Sequence, residues 1–288
     1  MTPHLPISST LRSLIVFFAL AFGISWMVWI PTALASYELL TFQFDPTLSG
    51  LLGAFGPCFA AIITIAIFEG RAGFGALFKR LCTWRVGIQW YLFVLLWTPA
   101  FSLAKTGLAV LFGSPAPDFS QPPFIQLYPI PDEIKSTIPF IAFLPMVFIQ
   151  QLLISSPMGE EPGWRGFALP VMQSRMNNLS ASLVLGFLWG IWHLPLWMTR
   201  GHPLQGVFPG WEILNAMATA TLFTWVYNNT NGSLLLAMLF HTSLNITGLF
   251  IASADIHPLV NLALVWGTMV LIVSRFDPAW LSHKTSGD

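Results

Sequence analysis

The chain has 288 residues, 55% of them hydrophobic and 8% charged, with 13 tryptophans and a formal net charge of zero. A mean hydropathy of +0.70 does not fit a water-soluble domain, and the lack of a basic excess argues against nucleic acid as a partner. What remains is a polytopic membrane protein, read as a single integral domain over residues 1–288. Cys58 and Cys82 stand apart without CxxC or Cys/His spacing, so both read as structural.

Eight apolar stretches are long enough to cross the hydrocarbon layer: residues 13–35, 48–68, 90–112, 138–156, 180–198, 211–227, 233–251 and 258–273. The bilayer core offers backbone amides no water, so each is expected to be a helix and the fold class is all-α with eight transmembrane helices. Ala33-Leu34-Ala35-Ser36 resembles a signal-peptidase site, but the length of the first stretch and its Trp26 and Trp29 favour a retained helix. Between the second and third stretches, Phe74, Leu77, Phe78 and Leu81 recur at helical spacing beside Lys79, Arg80 and Arg85. That pattern reads either as a helix lying on an anionic membrane surface or as a solvated basic loop. Pro115, Pro117, Pro122, Pro123, Pro129 and Pro131 make residues 113–137 an expected irregular loop. No internal repeat is visible.

Lys and Arg collect on the cytoplasmic side of short loops. With both termini cytoplasmic, the inside segments hold Arg12, Arg71, Lys79, Arg80, Arg85, Arg175, Arg275 and Lys284, and the outside loops hold Lys135 and Arg200. The orientation with cytoplasmic termini is therefore expected. Lys105 reads as a side chain snorkelling to the outer interface, and His4, His202, His257 and His283 lie in termini or loops with no expected role.

Against this apolar background stands Glu160-Glu161-Pro162-Gly163-Trp164-Arg165. Charges at membrane depth are costly and usually face a cavity where they act. If the fourth helix runs inward to about Gln173, Glu160 lies about 20 Å from the cytoplasmic end, and His193 and His241 reach the same inner half on the fifth and seventh helices. Residues four apart share a helix face, which pairs Glu161 with Arg165 and His241 with Asn245. An ion pair between Glu161 and Arg165 would leave Glu160 free to titrate. Pro162 is expected to break or restart the helix, which is tolerated where the backbone lines a wet cavity. The bland readings are a cytoplasmic charge cluster at the glutamates, a satisfied core histidine at His193, and interhelical hydrogen bonding at His241 and Asn245.

Glu160-Glu161-xxx-Arg165, Trp189-xxx-His193-Leu194-Pro195 and His241-xxx-Asn245, in that order on successive membrane segments, resemble the EExxxR, FxxxH and HxxxN motifs of the CAAX-protease and bacteriocin-processing (CPBP, or Abi) intramembrane proteases. The resemblance covers a core of about residues 138–252, and Trp189 stands where many members have Phe. It implies an eight-helix endopeptidase of the cell membrane whose site opens toward the cytoplasm. Glu160 and His193 would activate a water, His241 and Asn245 would stabilise the oxyanion, and Glu161 and Arg165 would support the site. The implied partners are membrane lipid and a membrane-associated or prenylated peptide. Metal-free glutamate catalysis is preferred, with zinc held by Glu160, His193 and His241 as the alternative. The rival class is a non-catalytic immunity or scaffold protein, or a proton-coupled carrier, for which Lys105, Glu212 and Asn215 make a poor relay.

Overall fold

In the computed structural model, residues 11–41, 45–128, 130–276 and 281 are described. His4, His283 and Lys284 lie outside them, as does the side chain of Lys135. All regular elements among the described residues are helical: α1 (Leu11–Ser36), α2 (Pro46–Ala54), α3 (Gly56–Phe68), α4 (Gly70–Leu81), α5 (Ile88–Leu111), α6 (Pro123–Leu127), α7 (Asp132–Thr137), α8 (Leu144–Ile154), α9 (Ser156–Gly163), α10 (Leu169–Gln173), α11 (Asn178–Trp192), α12 (Leu194–Trp197), α13 (Pro209–Asn229), α14 (Leu234–Phe250) and α15 (Pro258–Arg275). A 3₁₀ turn, Phe140–Phe143, leads into α8, and a π-helical turn, Trp164–Ala168, joins α9 to α10.

Helices occupy each of the eight expected stretches. Five helical runs are long and apolar enough to cross a membrane: Leu11–Ser36, Pro46–Phe68, Ile88–Leu111, Phe140–Gln173 and Pro258–Arg275. α11 and α14 are apolar but shorter, and α13 carries Glu212 and several amides that dilute its hydropathy. The protein is therefore a multi-pass, all-helical membrane protein. Its solvent preference is visible in the packing: Met27, Ile88 and Leu111 are exposed, whereas Ser13, Ser25, Thr98, Thr221, Thr224 and Thr242 are buried. Such an arrangement suits a molecule surrounded by lipid, where small and polar residues hold helices together. Ser25 Oγ donates to Gly53 O at 2.7 Å, Thr32 and Ser49 share a hydrogen at 2.6 Å, and Thr98 bonds Ser243.

Three local expectations are corrected. The second stretch is not one straight helix: it turns at Phe55 between α2 and α3, where Pro57 in the first turn of α3 has no N–H to continue the ladder. The fifth ends at Trp192 because Pro195 interrupts it in the same way, leaving His193 at the junction with α12. The proline-rich segment is not wholly irregular, since Pro123 and Pro131 start the short helices α6 and α7, as proline does at a helix N-terminus. Residues 70–81 do form a helix, α4, with Phe78 exposed beside the basic residues of its last turn.

Two Gly-xxx-Gly pairs set the close helix contacts on which the site depends. A Cβ at Gly159 would meet Ala54 O at 2.6 Å, and one at Gly163 would meet Pro57 O at 2.5 Å, so α9 lies directly against the α2–α3 turn. Gly186 and Gly190 allow α11 the same approach to α13, with Met217 Cα 2.5 Å from a Cβ at Gly186. Small residues at this spacing let backbones touch. Gly163→Ala should therefore cost about 1–3 kcal/mol through overpacking against backbone that cannot step aside. Thermal unfolding in detergent checks this against Gly107→Ala, where a Cβ meets nothing within 4 Å; equal melting of the two variants would contradict it.

Candidate active site

α8 stops at Ser155, whose backbone is extended at φ −131° and ψ −164°, and the chain restarts as α9 with Pro157 in its first turn. Contrary to the expected break, the helix continues through Pro162. The disruption falls immediately afterwards as the π-helical turn, in which the Leu169 N–H reaches back to Trp164 O. A π-turn widens the helix and recurs at functional sites. The run holding the glutamates extends to Gln173, so they are not a loop cluster: Glu160 is 3% exposed and Glu161 is 0% exposed.

Consecutive residues on a helix point in different directions, and the two carboxylates have different surroundings. Glu161 Oε1 accepts from Arg165 Nη1 at 2.8 Å and contacts His241 Nδ1 at 2.8 Å. The Arg165 guanidinium lies between aromatic rings, its Cζ 4.1 Å from the Phe223 centroid and 4.9 Å from that of Trp189. Such faces favour a cation, and the planar group suits them. Glu160 Oε2 instead accepts from two neutral indoles, Trp189 Nε1 at 2.7 Å and Trp164 Nε1 at 3.3 Å. Thus Glu161 is charge-compensated, while Glu160 is oriented without a bonded cation.

His193 follows the end of α11, and its Nδ1 lies 2.9 Å from Trp189 O. A carbonyl can only accept, so Nδ1 carries the hydrogen and Nε2 presents a lone pair. The ring sits among indoles, with centroids at 4.8 Å from Trp192, 5.9 Å from Trp189 and 6.4 Å from Trp29. Trp26 Nε1 donates to Trp192 O at 2.8 Å, which ties α1 to this corner. Glu160 and His193 are thereby joined through one residue: the Trp189 indole holds the carboxylate and its carbonyl holds the imidazole.

His241 and Asn245 share a face of α14 as expected, but Ser156 stands between them. Asn245 Nδ2 donates to Ser156 Oγ at 2.9 Å and to Gln151 Oε1 at 3.1 Å, and Ser156 Oγ is 3.4 Å from His241 Nε2. The structure thus brings Glu160, Glu161, Arg165, His193, His241 and Asn245 into one neighbourhood, with Trp189 as its hub. The roles of Ser156 and of the Trp189 N–H were missed from sequence. Ser156 had no distinguishing spacing, and a motif match treats position 189 as an aromatic ring, which conceals the added N–H donor.

Zinc held by Glu160, His193 and His241 would need all three donors turned to one point. Among the described residues, no three His, Cys, Asp or Glu side chains converge as a metal-ligand group. Glu160 is turned to two N–H donors, and His241 Nδ1 faces Glu161. This arrangement does not assemble the three-ligand set a zinc ion requires.

Residues 141–247 match the family model described as Type II CAAX prenyl endopeptidase Rce1-like. A protein of Methanococcus maripaludis named CAAX prenyl protease 2 is 32% identical over 110 residues, a segment covering 36% of this chain and 40% of that protein. The family-model match spans Glu160, Glu161, Arg165, His193, His241 and Asn245.

Proposed function

We propose, from the match of residues 141–247 to the Rce1-like CAAX prenyl endopeptidase model, that the protein is an intramembrane endopeptidase of the CAAX-protease (CPBP) kind acting on a membrane-associated, prenylated peptide. The observation that carries this reading is the division between two adjacent carboxylates. Glu161 is neutralised by Arg165 with His241 alongside, and Glu160 is left with neutral indole partners and the residual exposure. A fixed carboxylate with an imidazole lone pair nearby is what a general base needs to activate water.

In this proposal, Glu160 accepts a proton from a water oriented by His193 Nε2, and the resulting hydroxide attacks the scissile carbonyl. The oxyanion is met by Asn245 and His241. Glu161 engages Nδ1 of His241, so Nε2 is the nitrogen left to face the oxyanion. Collapse of the tetrahedral intermediate breaks the C–N bond, and the proton on Glu160 passes to the leaving amine. Gln151 holds the Asn245 amide while its second N–H, which rests on Ser156 Oγ, turns to the oxyanion, and Arg165 holds Glu161. The basic residues next to α4, α5, α10 and α15 support cytoplasmic termini, eight spans and a site reached from the cytoplasmic half of the cell membrane.

The test is cleavage of a quenched prenylated peptide by the purified protein in detergent, with and without a strong chelator. Cleavage that persists with chelator supports glutamate catalysis, whereas loss restored by zinc would overturn the metal-free route. No cleavage by the wild type would favour the immunity, scaffold or carrier alternative. Asn245→Ala should lower kcat by about 10²–10³ with a smaller effect on KM, the signature of a lost oxyanion donor. An unchanged kcat would make the amide a purely structural link among α14, α8 and Ser156.

A further inference from the structure

A second site lies beside another face of α14, that of Leu244, Thr247 and Ile251. A cavity of about 300 Å³ opens among the C-terminal part of α5, the first turns of α13 and α15, and the segment following α14; Lys105, Trp211, Glu212, Asn215, Asp255 and Asn261 line it. It shares Lys105, Asn215, Ser253 and Asn261 with an inner compartment of about 310 Å³, whose other walls include Trp97, Phe101, Leu244, Ile251 and Val265. Together they form a slot with a polar, doubly charged mouth and a mainly apolar interior.

The mouth is built rather than incidental. Lys105 Nζ donates to Asn261 Oδ1 at 2.9 Å and Asn261 Nδ2 donates to Asn215 Oδ1 at 3.1 Å, with Glu212 three residues before Asn215 at the same mouth. The mouth places one cation and one carboxylate on neighbouring helices while leaving each with unused valence, since an ammonium has three donors and a carboxylate about four acceptor positions. Asp255 adds an exposed carboxylate at the rim. Opposite charges held apart at the entrance of an apolar slot match an amphiphile whose head carries both signs.

We propose that this slot binds a phospholipid with an ethanolamine headgroup. The phosphate lies against Lys105, the primary ammonium against Glu212 and Asp255, and the first part of one acyl chain enters the compartment between Phe101, Leu244 and Val265. A quaternary choline head has no N–H to give the carboxylates, and an anionic glycerol head meets them with no cation. The ranking ethanolamine over choline over glycerol results from the two acidic groups at the mouth.

The full chain in detergent, titrated with short-chain phosphatidylethanolamine, phosphatidylcholine and phosphatidylglycerol under native mass spectrometry, tests this without any variant. The expected result is that order of affinity, with free phosphoethanolamine competing poorly because it leaves the apolar compartment empty. Glu212→Gln should remove about tenfold of the preference for ethanolamine over choline, the worth of a charge-assisted hydrogen bond, and Lys105→Met should weaken both lipids. Equal binding of the three lipids by the wild type would overturn the proposal. Competition by free phosphoethanolamine as strong as by the lipid would also overturn it, by placing only a headgroup in the slot. None of these readouts involves peptide cleavage, so they stand or fall separately from the proposed endopeptidase activity.

Discussion

Glu160→Gln is expected to reduce peptide hydrolysis by about 10²–10⁴-fold or more, the range over which a positioned general base acts. The amide is nearly isosteric, and its oxygen can still accept from Trp189 Nε1 and Trp164 Nε1. What it loses is the ability to take a proton. Single-turnover cleavage of a prenylated peptide should therefore collapse while the melting temperature in detergent stays near that of the wild type. A variant with full turnover would remove Glu160 from the role of base. A variant that loses both turnover and fold would show that the carboxylate is structural, which the two neutral indole donors do not suggest.

Arg165→Met should produce the opposite pattern, a large loss of stability. The guanidinium is 1% exposed and its Glu161 partner is 0% exposed. Taking one member from a buried pair leaves the other charge uncompensated, at a cost of about 3–5 kcal/mol. Methionine keeps the length of the side chain and its contact with the Trp189 and Phe223 rings, so the loss reports mainly on charge. Pairing Arg165→Met with Glu161→Gln should recover part of it, because the orphaned carboxylate is then gone. If the single variant melts with the wild type, the pair carries little net stability and its part is confined to orienting His241.

Much of this arrangement could be read in the sequence because the membrane simplifies the problem. Apolar length alone located the helices, and the i, i+4 rule identified Glu161 with Arg165 as an ion pair, realised at 2.8 Å. The placement of His241 and Glu160 at comparable depth also came from helical rise, and their helices do meet at Glu161. The joints were less legible. Whether Pro162 would break the helix or push the strain into a later turn depends on what α9 packs against, and the contacts of Gly159 and Gly163 with α2 and α3 are long-range. The indole that joins Glu160 to His193 was likewise hidden, since a motif match treats Trp189 as an aromatic ring and not as an N–H donor. Asn245 was paired with His241 by spacing, but the serine between them comes from another helix.

A π-helical turn is, in topological terms, a one-residue insertion in an α-helix, and the stretch Trp164–Ala168 stands next to both carboxylates. Deleting one residue there would restore regular winding and leave the faces of α9 and α10 in nearly the same phase, because the wider turn already absorbs the extra residue. The length that spans the bilayer would barely change, and Glu160 and Glu161, which precede the turn, would still face Trp189 and His241. An in-frame deletion of one codon at this turn is therefore expected to keep the register of both carboxylates and of the membrane framework. A lineage of such proteins can vary in length by one residue at this turn without moving the proposed site.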